Sequence, residues 1–147
     1  MGEGLTVEES FVQEVQQIVG PLLLSMGFAL DAIDADVDEG GPKGSVVFYL
    51  APDCKVQIYR SSREGEINAM IGPRDAPDVH GLYDRSRKWH YFNDFDNSPK
   101  LPLEELVQKL QDERTNFETT TKWLQWIKKE RIGRYFQSAH EAIVAGQ

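Results

Sequence analysis

Three stretches of the chain hold residues of the types that do chemistry. Asp34-Ala35-Asp36-Val37-Asp38 places carboxylates at alternate positions, as a calcium-binding loop does. Such a loop takes Gly at its sixth position and a bidentate Glu at its twelfth, where this chain has Glu39 and Ser45. The expectation is therefore no metal there, but a water-facing strand whose acids guard a sheet edge. Asp75, Asp78, His80, Asp84, His90, Asp94 and Asp96 form the densest collection of acid/base and ligand types. Metal and proton-transfer sites need such groups to converge, yet none of these falls at a tight ligand spacing, and Asp gathers in loops for turn-forming reasons alone. Cys54 follows Pro52-Asp53, at the start of a strand pattern, where a thiol is commonly small, buried and inert. There is no Gly-x-Ser-x-Gly, phosphate-binding glycine loop or dinucleotide fingerprint. No catalytic residue, metal or cofactor is expected. The rival reading is an enzyme or ligand-binding protein using the Asp75–Asp96 region.

Two basic clusters interleave with aromatics: Arg85, Arg87 and Lys88 before Trp89-His90-Tyr91-Phe92, and Lys122, Lys128, Lys129, Arg131 and Arg134 among Trp123, Trp126, Tyr135 and Phe136. That pattern can stack single-stranded nucleic acid or place a helix in a partner's groove. It also arises when aromatics fill a core and bases ring it. The charge of the chain favours the last reading. Net charge is −8, and residues 1–54 hold one base, Lys43, against ten acids. Neutralising phosphates takes clustered Lys and Arg, so nucleic acid is not an expected partner. A basic protein surface is.

The elements that must position these groups are legible from periodicity. Thr6-Val7-Glu8-Glu9 is a capping box, and Phe11, Val15, Ile18, Val19, Leu22, Leu23 and Met26 form one helical face behind it. Pro21 predicts a kink or restart near Gly20, and Gly27 a stop. Strand-like patterns then run over 28–37, 45–51, 54–59 and 67–71, joined by short polar spacers that imply antiparallel hairpins. The strand at Val56 and Ile58 alternates with Lys55, Gln57 and Tyr59, which predicts one wet face. Trp89–Phe92 is a candidate fifth strand. Pro102 opens a helical region in which Leu103, Leu106, Val107, Leu110, Phe117, Leu124 and Ile127 continue one stripe. Thr119-Thr120-Thr121 weakens it, and a phase shift predicts a break or bulge between Lys128 and Gly133. The fold class expected is α+β: an antiparallel sheet of four or five strands with an N-terminal helix and C-terminal helices packed on it. One domain is expected over 1–147, with a core of about residues 6–115 and a helical extension of about 116–145.

Taken together, Phe11, Pro21-Leu22-Leu23, Gly27-Phe28, Val46-Val47-Phe48-Tyr49, Val56-Gln57-Ile58-Tyr59-Arg60, Glu66-Ile67, Ile71-Gly72-Pro73 and the Leu103–Leu110 helix resemble a family of short, uncharacterised bacterial α+β proteins. The resemblance covers about residues 11–110 and rests on core and turn residues. It implies a fold and no chemistry. The single cysteine and the lack of any run near the roughly twenty apolar residues of a membrane span set the expectation of a cytoplasmic protein. The functional expectation is a non-catalytic protein-binding module, most concretely an immunity-type inhibitor of a basic toxin or nuclease, with an acidic secretion chaperone as the variant in the same class. Candidate partner-binding residues are Asp31, Asp34, Asp36, Asp38 and Glu39 on the acidic strand, and Trp123 and Trp126 in the C-terminal helices.

Overall fold

In the capping box at the start of the first helix, Thr6 Oγ1 accepts the Glu9 N–H at 3.1 Å, and the Glu9 carboxylate accepts the Thr6 N–H at 3.0 Å. The structure, a computed structural model, describes residues 4–96 and 98–146. Helix α1 (Val7–Ile18) buries Phe11, Val12 and Val15, and the chain restarts at Pro21 as α2 (Gly20–Ser25), which buries Leu23. Gly27 ends it at a φ of 93°, a conformation that costs a residue without Cβ little.

Five antiparallel strands follow as a meander in the order β1-β2-β3-β4-β5: β1 (Ala29–Asp38), β2 (Lys43–Leu50), β3 (Cys54–Ser61), β4 (Glu66–Pro73) and the two-residue β5 (His90–Tyr91). One face carries Val47, Tyr49, Val56, Ile58, Ala69 and Ile71 against the helices. The other carries Val46, Phe48, Tyr59 and Met70, and it is roofed by the loop after β4 through Ala76 and Trp89.

That roof corrects the expectation of a wet face on β3. Lys55 and Gln57 are buried because the loop folds back over them. Lys55 Nζ donates to the Ala76 carbonyl at 3.0 Å and pairs with Asp78. Gln57 acts as a clamp, donating to the Val79 carbonyl at 3.1 Å and accepting the Gly81 N–H at 2.8 Å. A Cβ on Gly81 would lie 2.3 Å from Met70 Sδ, so a larger residue there would have to displace the buried Met70 side chain.

The helical region also departs from the pattern. The stripe over Leu103–Ile127 is not one helix: α3 (Leu103–Glu113) ends in a 3-10 turn over Arg114–Phe117, and α4 (Thr120–Ile127) starts afresh with Thr119 Oγ1 capping the Lys122 N–H at 3.1 Å. Side-chain oxygens of Thr favour such caps over helix interiors. The break beyond Lys128 is a π-helical segment over Lys128–Gly133, and α5 (Arg134–Ala145) follows. Nor are the residues beyond 115 an appendage to the core. Leu124, Ile127, Ile132 and Ala139 have no solvent exposure, whereas α3 buries no residue at all.

Candidate functional site

The acids of β1 lie at an open edge of the sheet, since among the described strands β1 pairs with β2 alone. Asp31, Asp34, Asp36 and Asp38 are all exposed. Register shifts between Leu30 and Ala32, and between Asp34 and Val37, interrupt the alternation. Ala32 and Val37 consequently meet the same loop-side cluster although five residues apart. Strand alternation, which would put Asp34, Asp36 and Asp38 on one side, therefore does not hold through the bulge. Lys43 lies among these acids, 2.9 Å from Asp36, and that hydrogen bond raises its pKa.

Glu39 departs from the rest of the acidic set. It is only 3% exposed, and it ties three segments together. Oε2 accepts from Ser61 Oγ at 2.6 Å and from the Tyr83 hydroxyl at 2.5 Å, and Oε1 accepts the Ser62 N–H at 2.8 Å. Burial alone would raise its pKa, but these hydrogen bonds and one from the Arg63 amide outweigh it and hold the carboxyl below its ordinary value. Glu39 is a structural anchor, not surface offered to a partner.

In the Asp75–Asp96 region the acids among the described residues are engaged in separate contacts rather than in one cluster of metal-ligand type. Asp75 pairs with Lys88 at 2.6 Å, Asp78 with Lys55, Asp84 accepts from Ser86 at 3.1 Å, and Asp94 accepts the Tyr91 N–H at 2.9 Å. Asp96 accepts from Ser98 at 2.8 Å and from the Tyr135 hydroxyl at 3.2 Å. His80 is buried between Tyr59 and Tyr83, at 4.6 and 5.2 Å between ring centroids. Its Nδ1 accepts the Leu82 N–H at 3.4 Å, which leaves Nε2 to donate to the Arg60 carbonyl at 3.1 Å. Desolvation lowers its pKa, so the ring is held neutral in one tautomer. Asp78 and His80 are taken up in building the roof, and the other acids make local turns and ion pairs. His90 packs edge-on to Phe95 at 5.9 Å beside a pocket of about 770 Å³ that Asp75, Arg87 and Lys88 also line.

Trp123 and Trp126 are half-buried, each 4.9 Å from Phe117, and the Arg131 guanidinium lies 4.2 Å from the Trp126 ring. The aromatics of the second basic cluster thus pack on one another and on the core, with Lys122, Lys128 and Lys129 exposed around them. Trp126 Nε1 is buried without a hydrogen-bond partner among the described residues.

The surface that stands out is α3. Leu103, Leu106, Val107 and Leu110, at i, i+3, i+4 and i+7, are 75, 42, 45 and 59% exposed. Leu101, just before the helix, is 44% exposed. The helix leans mainly on the 3-10 turn that follows it. Glu104, Glu105, Asp112 and Glu113 surround the stripe, with Lys109 the one base in the helix. The apolar spacing signals this stripe in the sequence, but there it reads as part of the core.

One cluster carries no sequence signal. His140, on α5, lies 2.8 Å through Nε2 from Asp53 Oδ2 across 87 residues, and Cys54 adjoins them. Donor atoms of the three lie within 4.8 Å of one another. The thiol donates toward Asp53, while burial first and then that carboxylate's charge push its pKa up to about 12. The hydrogen bond from His140 holds Asp53 below the usual carboxylate range. Burial and the adjacent carboxylate therefore keep the proton on the thiol. This is the reverse of an activated cysteine.

No protein-family model matches the chain, and no curated protein or solved structure does either. Among the described residues no helix is long and apolar enough to cross a membrane.

Proposed function

We propose that this protein is a non-catalytic protein-binding module that docks α3 into an apolar groove on a basic partner. The observation that carries this reading is the open stripe of α3. An isolated helix of eleven residues is marginal in water even with good propensity. The i,i+4 contacts here, Gln108 to Asp112 at 2.8 Å and Lys109 to Glu113 at 3.9 Å, supply only tenths of a kcal/mol each. A helix so exposed needs something to cover its leucines. Anchors at i, i+3, i+4 and i+7 are the spacing by which helices seat in grooves. The four acids around the stripe set the sign of the groove's rim, and the exposed β1 edge adds a second surface of the same sign. An immunity-type inhibitor of a basic toxin or nuclease and an acidic secretion chaperone both fit. A gene neighbour encoding a toxin or a secreted effector would separate them.

The test compares wild type with Leu106→Glu/Leu110→Glu in cross-linking capture from the source cell, with sedimentation alongside. The expected result is a basic protein held by wild type, released by salt, and lost by the double variant at an unchanged melting temperature. Identical capture by both chains would refute the reading. Self-association lost on substitution would make a second copy the occupant.

A further inference from the structure

We propose that Asp53, Cys54 and His140 bind a zinc-class divalent ion through a carboxylate oxygen, a thiolate sulfur and an imidazole nitrogen. Neighbouring residues on a regular strand point to opposite faces. Here the turn through Pro52 and Asp53, closed by the Ala51 N–H donating to the Cys54 carbonyl at 2.9 Å, brings the Asp53 carboxylate round beside the Cys54 thiol. Donor atoms from all three residues already lie within 4.8 Å of one another. Tetrahedral zinc, with bonds of about 2.0–2.3 Å, needs ligand separations of roughly 3.3–3.6 Å. The 2.8 Å Asp53–His140 contact has to open slightly and the sulfur has to close in, movements within reach of side-chain rotation.

The imidazole is pre-oriented. Phe136 stacks on it at 5.2 Å and 15° between planes, and Phe28 holds Phe136 edge-on at 5.9 Å. A pocket of about 310 Å³ lined by Met26, Phe28, Ala51 and Pro52 borders all three residues, with Asp53 and His140 part-exposed in it and Cys54 buried behind them. It leaves room for a fourth ligand, the arrangement of zinc sites that keep one position open. A thiolate and an imidazole in one set favour zinc over the oxygen-seeking magnesium and calcium.

The protons balance. Zinc displaces one proton, that of the Cys54 thiol, to solvent, and the His140 proton moves from Nε2 to Nδ1 as Nε2 turns to the metal. Asp53 gives up its hydrogen bonds from His140 and Cys54 and becomes a ligand.

Titration of the metal-stripped protein with Zn²⁺ by calorimetry, and with Co²⁺ by absorbance, tests the site. The expected result is one equivalent bound at micromolar affinity or tighter, with a thiolate-to-cobalt charge-transfer band. Cys54→Ser is expected to abolish that band, and His140→Gln to weaken binding at least about tenfold, by analogy with losses at metal sites. His90→Gln, outside the cluster, is expected to leave both unchanged. Should Cys54→Ser fail to fold, the part-exposed His140 keeps the test available. A missing charge-transfer band, or zinc affinity retained in His140→Gln, would overturn the proposal.

Discussion

Glu39 offers the sharpest test of which acids belong to the fold and which to the surface. Glu39→Ala removes the acceptor for Ser61 Oγ, the Tyr83 hydroxyl and the Ser62 amide at once. A hydrogen bond to a charged group contributes about 1.5–3 kcal/mol net, and a buried donor left without a partner costs about 1–3 kcal/mol. Ser61 is buried, but the exposed Tyr83 ring lets its hydroxyl find water, so the sum falls well short of three full bonds. The expected loss is about 2–4 kcal/mol in urea melts at neutral pH. Glu39→Gln is milder, about 1–2 kcal/mol, because both hydroxyls can rotate to accept from the new amide while Oε1 still takes the Ser62 N–H. The pH dependence gives a second readout. The folded pKa of Glu39 is depressed below 4.5, so the unfolded chain binds the extra proton first. Its contribution is full above the unfolded pKa and is lost as pH falls through the folded value. The gap between wild type and Glu39→Gln should therefore narrow below about pH 4.5. An Ala variant within about 0.5 kcal/mol of wild type, with a gap indifferent to pH, would show a solvated carboxylate and refute the anchoring role.

Two further outcomes follow from burial. Leu23→Ala, at a site without solvent exposure, is expected to cost about 2–5 kcal/mol by denaturant melts, and the half-buried Leu22 clearly less; equal losses would misplace the face of α2. Cys54 in the metal-free native protein is expected to resist alkylation at pH 7 and to react at the rate of opening, since burial and Asp53 keep its proton on. Rapid native labelling would contradict that environment.

Periodicity and caps make most of the architecture legible in the sequence. The Thr6 box, the restart at Pro21, the hairpin spacing of β2 to β4 and the phase shift at the π segment all act through neighbours within a few residues. The roof over β3 has no such local signal. Whether Lys55 and Gln57 face water or a loop depends on residues 76–81 folding back. Polar side chains spaced as if for solvent serve equally well as clamps on passing backbone. Glu39 misleads for the same reason: a carboxylate in an acidic run reads as surface, and only the approach of Ser61 and Tyr83 makes it a buried acceptor. The Asp53–Cys54–His140 cluster joins residues far apart in the chain, so no local pattern announces it.

The stripe from Leu103 to Ile127 holds the harder lesson. Its first half and its second half carry the same helical spacing of apolar residues, and the chain puts them to opposite uses. Leu124 and Ile127 are sealed against the sheet, while Leu103, Leu106, Val107 and Leu110 remain in water. Amphipathicity reports that a helix has a face to bury and is silent on whether the covering surface belongs to the same chain. The chemistry that separates the two halves is at Arg114–Thr119, where a 3-10 turn and a Thr cap uncouple α3 from α4. Once uncoupled, α3 need not follow α4 into the core. On the proposed reading, the exposed apolar side chains of α3 are the surface that a partner covers. The leucine-to-glutamate pair, expected to leave the melting temperature untouched and to abolish partner capture, therefore tests the proposed docking surface separately from folding.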